Sequence, residues 1–72
     1  MHLPQDLGRV ENRPFSGATH EVVHKDRGSA TCKTVAWAAN RAAAEAAADA
    51  LYFALRPTER RVVVYYTQAL GI

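Results

Sequence analysis

Apolar residues recur along this chain in three different rhythms. Residues 1–14 have no rhythm: Leu3, Leu7 and Val10 are scattered among charges, Pro4, Gly8 and Pro14. Such a stretch predicts an irregular arm with at most one short turn or strand. From Phe15 the pattern tightens. Ala18–Lys25 and Ala30–Ala38 are rich in Val, Thr and Trp and flank Asp26-Arg27-Gly28-Ser29. The expected unit is a β-hairpin whose Gly28 supplies the positive φ of the loop.

Asn40 then opens a helical rhythm. Its side-chain oxygen suits an N-cap, where it accepts a free backbone N–H of the first turn. Arg41–Leu55 contains eight alanines and neither Gly nor Pro, so its helix propensity is close to maximal. Pro57 should end the helix, because a residue before proline is pushed out of the helical region. Arg60–Gln68, centred on Val62-Val63-Val64-Tyr65-Tyr66, reads as a final strand. The chain is therefore expected to be a single α+β domain over 1–72, with an arm over 1–14 and then β-β-α-β. The sheet would be three-stranded, with the helix on one face. The crossover through the helix leaves the second and third strands pointing the same way. The third strand is placed antiparallel beside the first, in spatial order 2-1-3, because antiparallel pairs are commoner.

Phase along each element assigns faces. At about 100° per residue, Ala44, Ala47, Ala48, Leu51 and Leu55 share one stripe, which should face the sheet. Glu45, Asp49, Arg56, Ala42, Ala46 and Phe53 fall on the other side. Phe53 is the anomaly there: either the arm packs over it through Leu3 or Leu7, or it contacts a partner, since aromatics dominate binding hot spots. In the strands, Val62, Val64 and Tyr66 alternate against Val63 and Tyr65, and Val35 and Trp37 against Cys32, Ala36 and Ala38. One helix covers one face of such a sheet. The other face carries Val, Tyr or Trp with a short arm as its only cover, which predicts an association surface. A homodimer through the open sheet face, or another protein on that face or on an open strand edge, would complete it.

Composition narrows the function classes. Seventy-two residues are too few for a Rossmann unit with a substrate domain, a TIM barrel or a kinase-like enzyme. Nine Lys and Arg against seven Asp and Glu give +2, a weak bias. No apolar run approaches the ~20 residues of a membrane span, and Met1–Asp6 lacks the blocks of a signal peptide. The single Cys32 excludes an internal disulfide and a cysteine-rich zinc site.

Three constellations bear on chemistry. His20-Glu21-Val22-Val23-His24 matches H-E-x-x-H, in which two helical histidines hold zinc and the Glu is the general base. With Glu45 as a third ligand and Asp49 behind it, the segment resembles the minimal constellation of gluzincin peptidases. Its β-branched residues and the following glycine loop read instead as strand. There the two histidines stand about 13 Å apart, too far to share one ion. The preceding 19 residues are also too few for the scaffold such an active site needs. No metal, cofactor or catalytic residue is therefore assigned, and no enzyme is expected. Tyr65-Tyr66 with Arg60-Arg61 offers a base-stacking and phosphate-binding alternative. Glu45, Asp49 and Glu59 interrupt its basic residues, and RRM-type aromatic motifs are missing. Cys32 has neither a CxxC partner nor an adjacent His, so it is assigned to packing.

The layout of His24-Lys25-Asp26-Arg27-Gly28, the helix from Asn40 through Ala48, and Val62-Val63-Val64-Tyr65 resembles the small phage-encoded anti-CRISPR proteins, particularly inhibitors of type I systems. The likeness covers about residues 15–68 in layout. It implies a non-enzymatic inhibitor in the bacterial cytoplasm that binds the crRNA-guided surveillance complex or its nuclease-helicase. The positive charge disfavours DNA mimicry and points to occluding a protein surface. The expected contacts are Glu45, Asp49, Tyr52, Phe53 and Arg56 on the outer helix, with Lys25 and Arg27 at the hairpin tip. Phe53 would be the apolar anchor within a charged rim.

Overall fold

The computed structural model describes residues 8–71. The expectations on Leu3 and Leu7 lie outside them. Strand β1 is Val10–Glu11, β2 is His20–Asp26 and β3 is Cys32–Ala38. Helix α1 spans Arg41–Ala54, α2 spans Pro57–Arg60 and β4 is Val63–Ala69. The sheet has four strands in the order β1-β3-β2-β4, and every pair is antiparallel. The final strand lies antiparallel beside the first hairpin strand, the placement expected because antiparallel pairs are commoner. The sheet is wider than the three strands expected because the arm contributes Val10 and Glu11, opposite Ala38 and Trp37. Two residues are too short for alternation to register as a strand signal.

Asn40 caps α1 as its chemistry requires: its side-chain oxygen accepts the Ala43 N–H at 2.8 Å. The helix ends at Ala54, and Leu55 and Arg56 are extended before Pro57. Pro57 does more than stop α1. With its fixed φ it starts α2 at the first helical position, and the Glu59 side chain accepts the Arg56 N–H at 3.0 Å. Arg60 is therefore helical rather than part of the last strand.

The hairpin also differs in detail. Ser29 N–H donates to the Asp26 carbonyl at 3.1 Å, and the Ser29 hydroxyl accepts the Thr31 N–H at 3.0 Å. These bonds close the turn without a positive φ at Gly28. Among the described residues only Gly17 has one, at 96°.

A bulge sets the faces of β3. Val22 lies opposite Ala36 but Val23 opposite Thr34, so Val35 is the extra residue. Two consecutive side chains of a bulge project to nearly the same side. Val35 thus packs with Ala36 and Ala38 against α1, where Val22, Ala44 and Ala48 complete the core and Tyr65 flanks it. Strict alternation had set Val35 apart from Ala36 and had put Cys32 with the alanines. The shifted phase sends Cys32 to the opposite, exposed side.

The helix packs closely because its sheet-facing positions are methyl groups. Leu51 departs from expectation: it is 36% exposed. Helix α1 lies over β4 and β2, with Glu45 and Asp49 on the flank above β4. Leu55 is half-buried.

Candidate interaction surface

The C-terminal end of α1 displays the most exposed large apolar side chain among the described residues, Phe53, at 66%. It is held rather than loose. Its ring meets Tyr52 edge-on, with centroids 5.4 Å apart. The Arg60 guanidinium lies 5.6 Å from the Phe53 centroid and 6.0 Å from that of Tyr52. Arg60 also donates an Nη2–H to the Phe53 carbonyl at 3.1 Å, satisfying an acceptor that the end of the helix leaves free. Each guanidinium–ring contact at such a site is worth roughly 0.5–1 kcal/mol, enough to restrict the aromatic pair before anything binds. Arg60 Nε is buried without a hydrogen-bond partner, an unsatisfied donor beside the cluster. Arg60 lies in α2, not in the strand that the pattern of residues 60–68 predicts. The signal that locates it here is Pro57-Thr58-Glu59-Arg60, where proline opens a turn and Glu59 caps it.

The expected contact residues separate into three places. Tyr52 and Phe53, together with exposed Arg56, form the corner between α1 and α2. Lys25 and Arg27 lie at the hairpin tip, and the Arg27 N–H bonds the Val62 carbonyl at 2.7 Å. That bond ties the tip to the end of the sheet reached by the corner. Glu45 and Asp49 stand elsewhere. With Ala48, Tyr65, Tyr66 and Thr67 they line a groove of about 290 Å³ along β4, and Glu45 accepts Arg41 Nε–H at 2.9 Å.

The sheet face opposite α1 is less apolar than its pattern suggested. Glu21 accepts bonds there from the Thr34 hydroxyl and from Gln68. Val23, between the cross-strand neighbours Thr34 and Tyr66, is only 2% exposed. Tyr66 is 37% exposed, and its hydroxyl is held above the ordinary tyrosine range by desolvation, then by Cys32 and Glu21. The described part of the arm widens the sheet at β3 instead of crossing this face: the Arg9 carbonyl accepts the Ala39 N–H at 3.0 Å, and the Arg9 guanidinium stacks over Phe15 at 4.2 Å.

His20 and His24 are on strand β2, as the β-branched residues between them indicated. They serve different neighbourhoods. His24 meets the Tyr65 ring at 5.2 Å, whereas His20 Nδ1 is 2.8 Å from the Thr19 hydroxyl. Among the described residues no group of three or more His, Cys, Asp or Glu side chains converges on a point where an ion could sit. No helix among them is long and apolar enough to cross a membrane. Comparison with protein-family models, with curated proteins and with solved structures finds no match to this chain.

Proposed function

We propose that this protein is a non-enzymatic protein-binding module that anchors a partner protein on Phe53. The observation that carries this reading is the exposed, pre-oriented ring of Phe53 between Tyr52 and Arg60. An apolar anchor with a charged rim is the usual anatomy of a binding hot spot. Arg60 over the ring and the exposed Arg56 and Arg61 on the segment that follows α1 supply that rim, and Lys25 and Arg27 extend it along the same end of the sheet. Holding the ring in place beforehand lowers the ordering cost of association.

The finer proposal is a phage inhibitor that binds a type I CRISPR-Cas surveillance complex in the bacterial cytoplasm and blocks its action. It is supported by the likeness of layout and by a charge that suits a protein surface better than DNA mimicry. The direct test titrates the protein against a purified type I surveillance complex, reading both association and target-DNA binding. Wild type should associate and inhibit, and Phe53→Ala should weaken both by about tenfold or more with an unchanged circular dichroism spectrum. No association by wild type discards the CRISPR reading, and equal affinity of Phe53→Ala discards the patch.

A second reading follows from the same corner, where Arg56 and Arg61 stand beside two aromatic rings: stacking and phosphate contacts to single-stranded nucleic acid. It ranks lower because Arg60 is committed to the Phe53 carbonyl and Glu59 and Asp49 lie close in sequence. It requires a gel shift at low salt that disappears as salt rises.

A further inference from the structure

The sheet ends at β4, and the ending is unprotected. Among the described residues no backbone group pairs with the outer side of Val63–Ala69. The strand has no charge, no proline and no bulge. The opposite edge is managed differently: β1 covers the end of β3 at Trp37 and Ala38, the bulge bends the strand, and Lys33 is exposed beyond it. Charges, bulges and short cover are the ordinary protections of a sheet edge. They are concentrated on one side of this molecule.

We propose that β4 pairs with β4 of a second copy of this chain, antiparallel about a two-fold axis at Tyr66, to give a continuous eight-stranded sheet. Backbone parity fixes the register. Leu70 N–H donates to the Thr19 carbonyl and Val62 accepts from Arg27, so even-numbered residues turn their N–H and C=O toward β2. Val63, Tyr65, Thr67 and Ala69 turn theirs outward. Antiparallel strands exchange both bonds only between outward-turned residues. Centring the axis on Tyr66 pairs Val63 with Ala69 and Tyr65 with Thr67 of the second copy, and the reverse. All the outward groups are then used, in roughly eight bonds. Centring it on Tyr65 or Thr67 strands some of them. Tyr66 then opposes its own counterpart as a non-hydrogen-bonded pair on the open face, an aromatic cross-strand contact.

The helices fit the same axis. Helix α1 lies over β2 and β4, and strands are about 4.8 Å apart. The two copies of α1 therefore run side by side at about 10 Å, a normal helix-packing distance. Charge follows. Arg41 stands beside Thr67, Gln68 and Ala69, while Asp49 stands beside Tyr65, Tyr66 and Thr67, nearer the axis. The two-fold brings Arg41 of each copy toward Asp49 of the other. Glu45, near the axis, is already paired with Arg41 of its own chain.

The test is sedimentation of the full chain from micromolar to millimolar concentration. The expected mass rises from 7.9 kDa to about twice that and stops there, because a two-fold pair uses each β4 edge once. Thr67→Pro removes only an outward N–H and should weaken association by about tenfold or more, with unchanged circular dichroism. If that variant fails to fold, cysteine cross-linking in a Cys32→Ser background decides. Tyr66→Cys should oxidise to a covalent dimer, since its counterpart lies about 4.5 Å away between Cα atoms, and Val64→Cys should not. A constant monomer mass, larger open-ended assemblies, or cross-linking at Val64 and not at Tyr66 overturns the proposal.

Discussion

Val22 is the only large side chain buried to below 2% exposure among the described residues, and the rest of the core cluster is mainly alanine. Removing its two methyl groups deletes about 1.6 kcal/mol of transfer energy before any cavity is counted. Val22→Ala should therefore cost about 2 kcal/mol in denaturant unfolding, and Val62→Ala, at a site 56% exposed, should change stability by less than about 0.5 kcal/mol. Tyr66 gives a pH signature. Its folded-state pKa is raised, so the folded state holds this proton more tightly than the unfolded one. The resulting stabilisation is full below the unfolded tyrosine pKa and disappears as pH climbs through the folded value. Alkaline titration followed by ultraviolet absorbance should show a late component that Tyr66→Phe removes; titration of that variant with the late component intact would contradict it. At this scale the sequence was readable where one residue does one job: Asn40 is a cap by its own chemistry. It was not readable at Val35 and Cys32. A period of two fits either phase of β3, and no residue there announces the bulge that selects one.

Elements form here for local reasons, and those reasons are separable. The Asn40 bond to Ala43 N–H starts α1, so Asn40→Ala should lower stability by about 1 kcal/mol while leaving the alanine stretch helical; unchanged stability would show that the cap contributes nothing. The Arg41–Glu45 pair at 2.9 Å is largely exposed, and breaking it should change stability by only about 0.3–0.5 kcal/mol. The helix, the hairpin and the last strand were all visible in hydrophobic period and propensity, and the antiparallel placement of the last strand followed from the commoner pairing. The arm was read as holding at most one short turn or strand, without placing β1 in it, and helix α2 was not visible. Each is shorter than the window over which a period can be recognised, and each exists because a neighbour accepts it: β3 supplies the ladder for Val10 and Glu11, and Pro57 sets the angle for Arg60.

At the scale of the whole molecule, the described residues place helix α1 over a four-stranded sheet and leave two kinds of surface without a roof among them. The corner at Phe53 is apolar and held by Tyr52 and Arg60, and it is the surface proposed above for a partner protein. The β4 edge is backbone, repeats every second residue, and matches its own image. The aromatic anomaly on the helix was legible from phase alone. The clamp by Arg60 required the fold, because residues 53 and 60 meet only after Pro57 turns the chain. The edge was hidden for a different reason: outward and inward backbone groups alternate with no dependence on side-chain identity, so only the register to β2 distinguishes them. Amide hydrogen exchange of β4, residue by residue, measures that directly. At low concentration Val64, Tyr66 and Gln68 should be protected by β2 while Val63, Tyr65, Thr67 and Ala69 exchange freely, and the second set should become protected as concentration rises. Uniform protection of β4 in dilute solution, or an alternation that persists unchanged at the highest concentration, would contradict an edge waiting for its own copy.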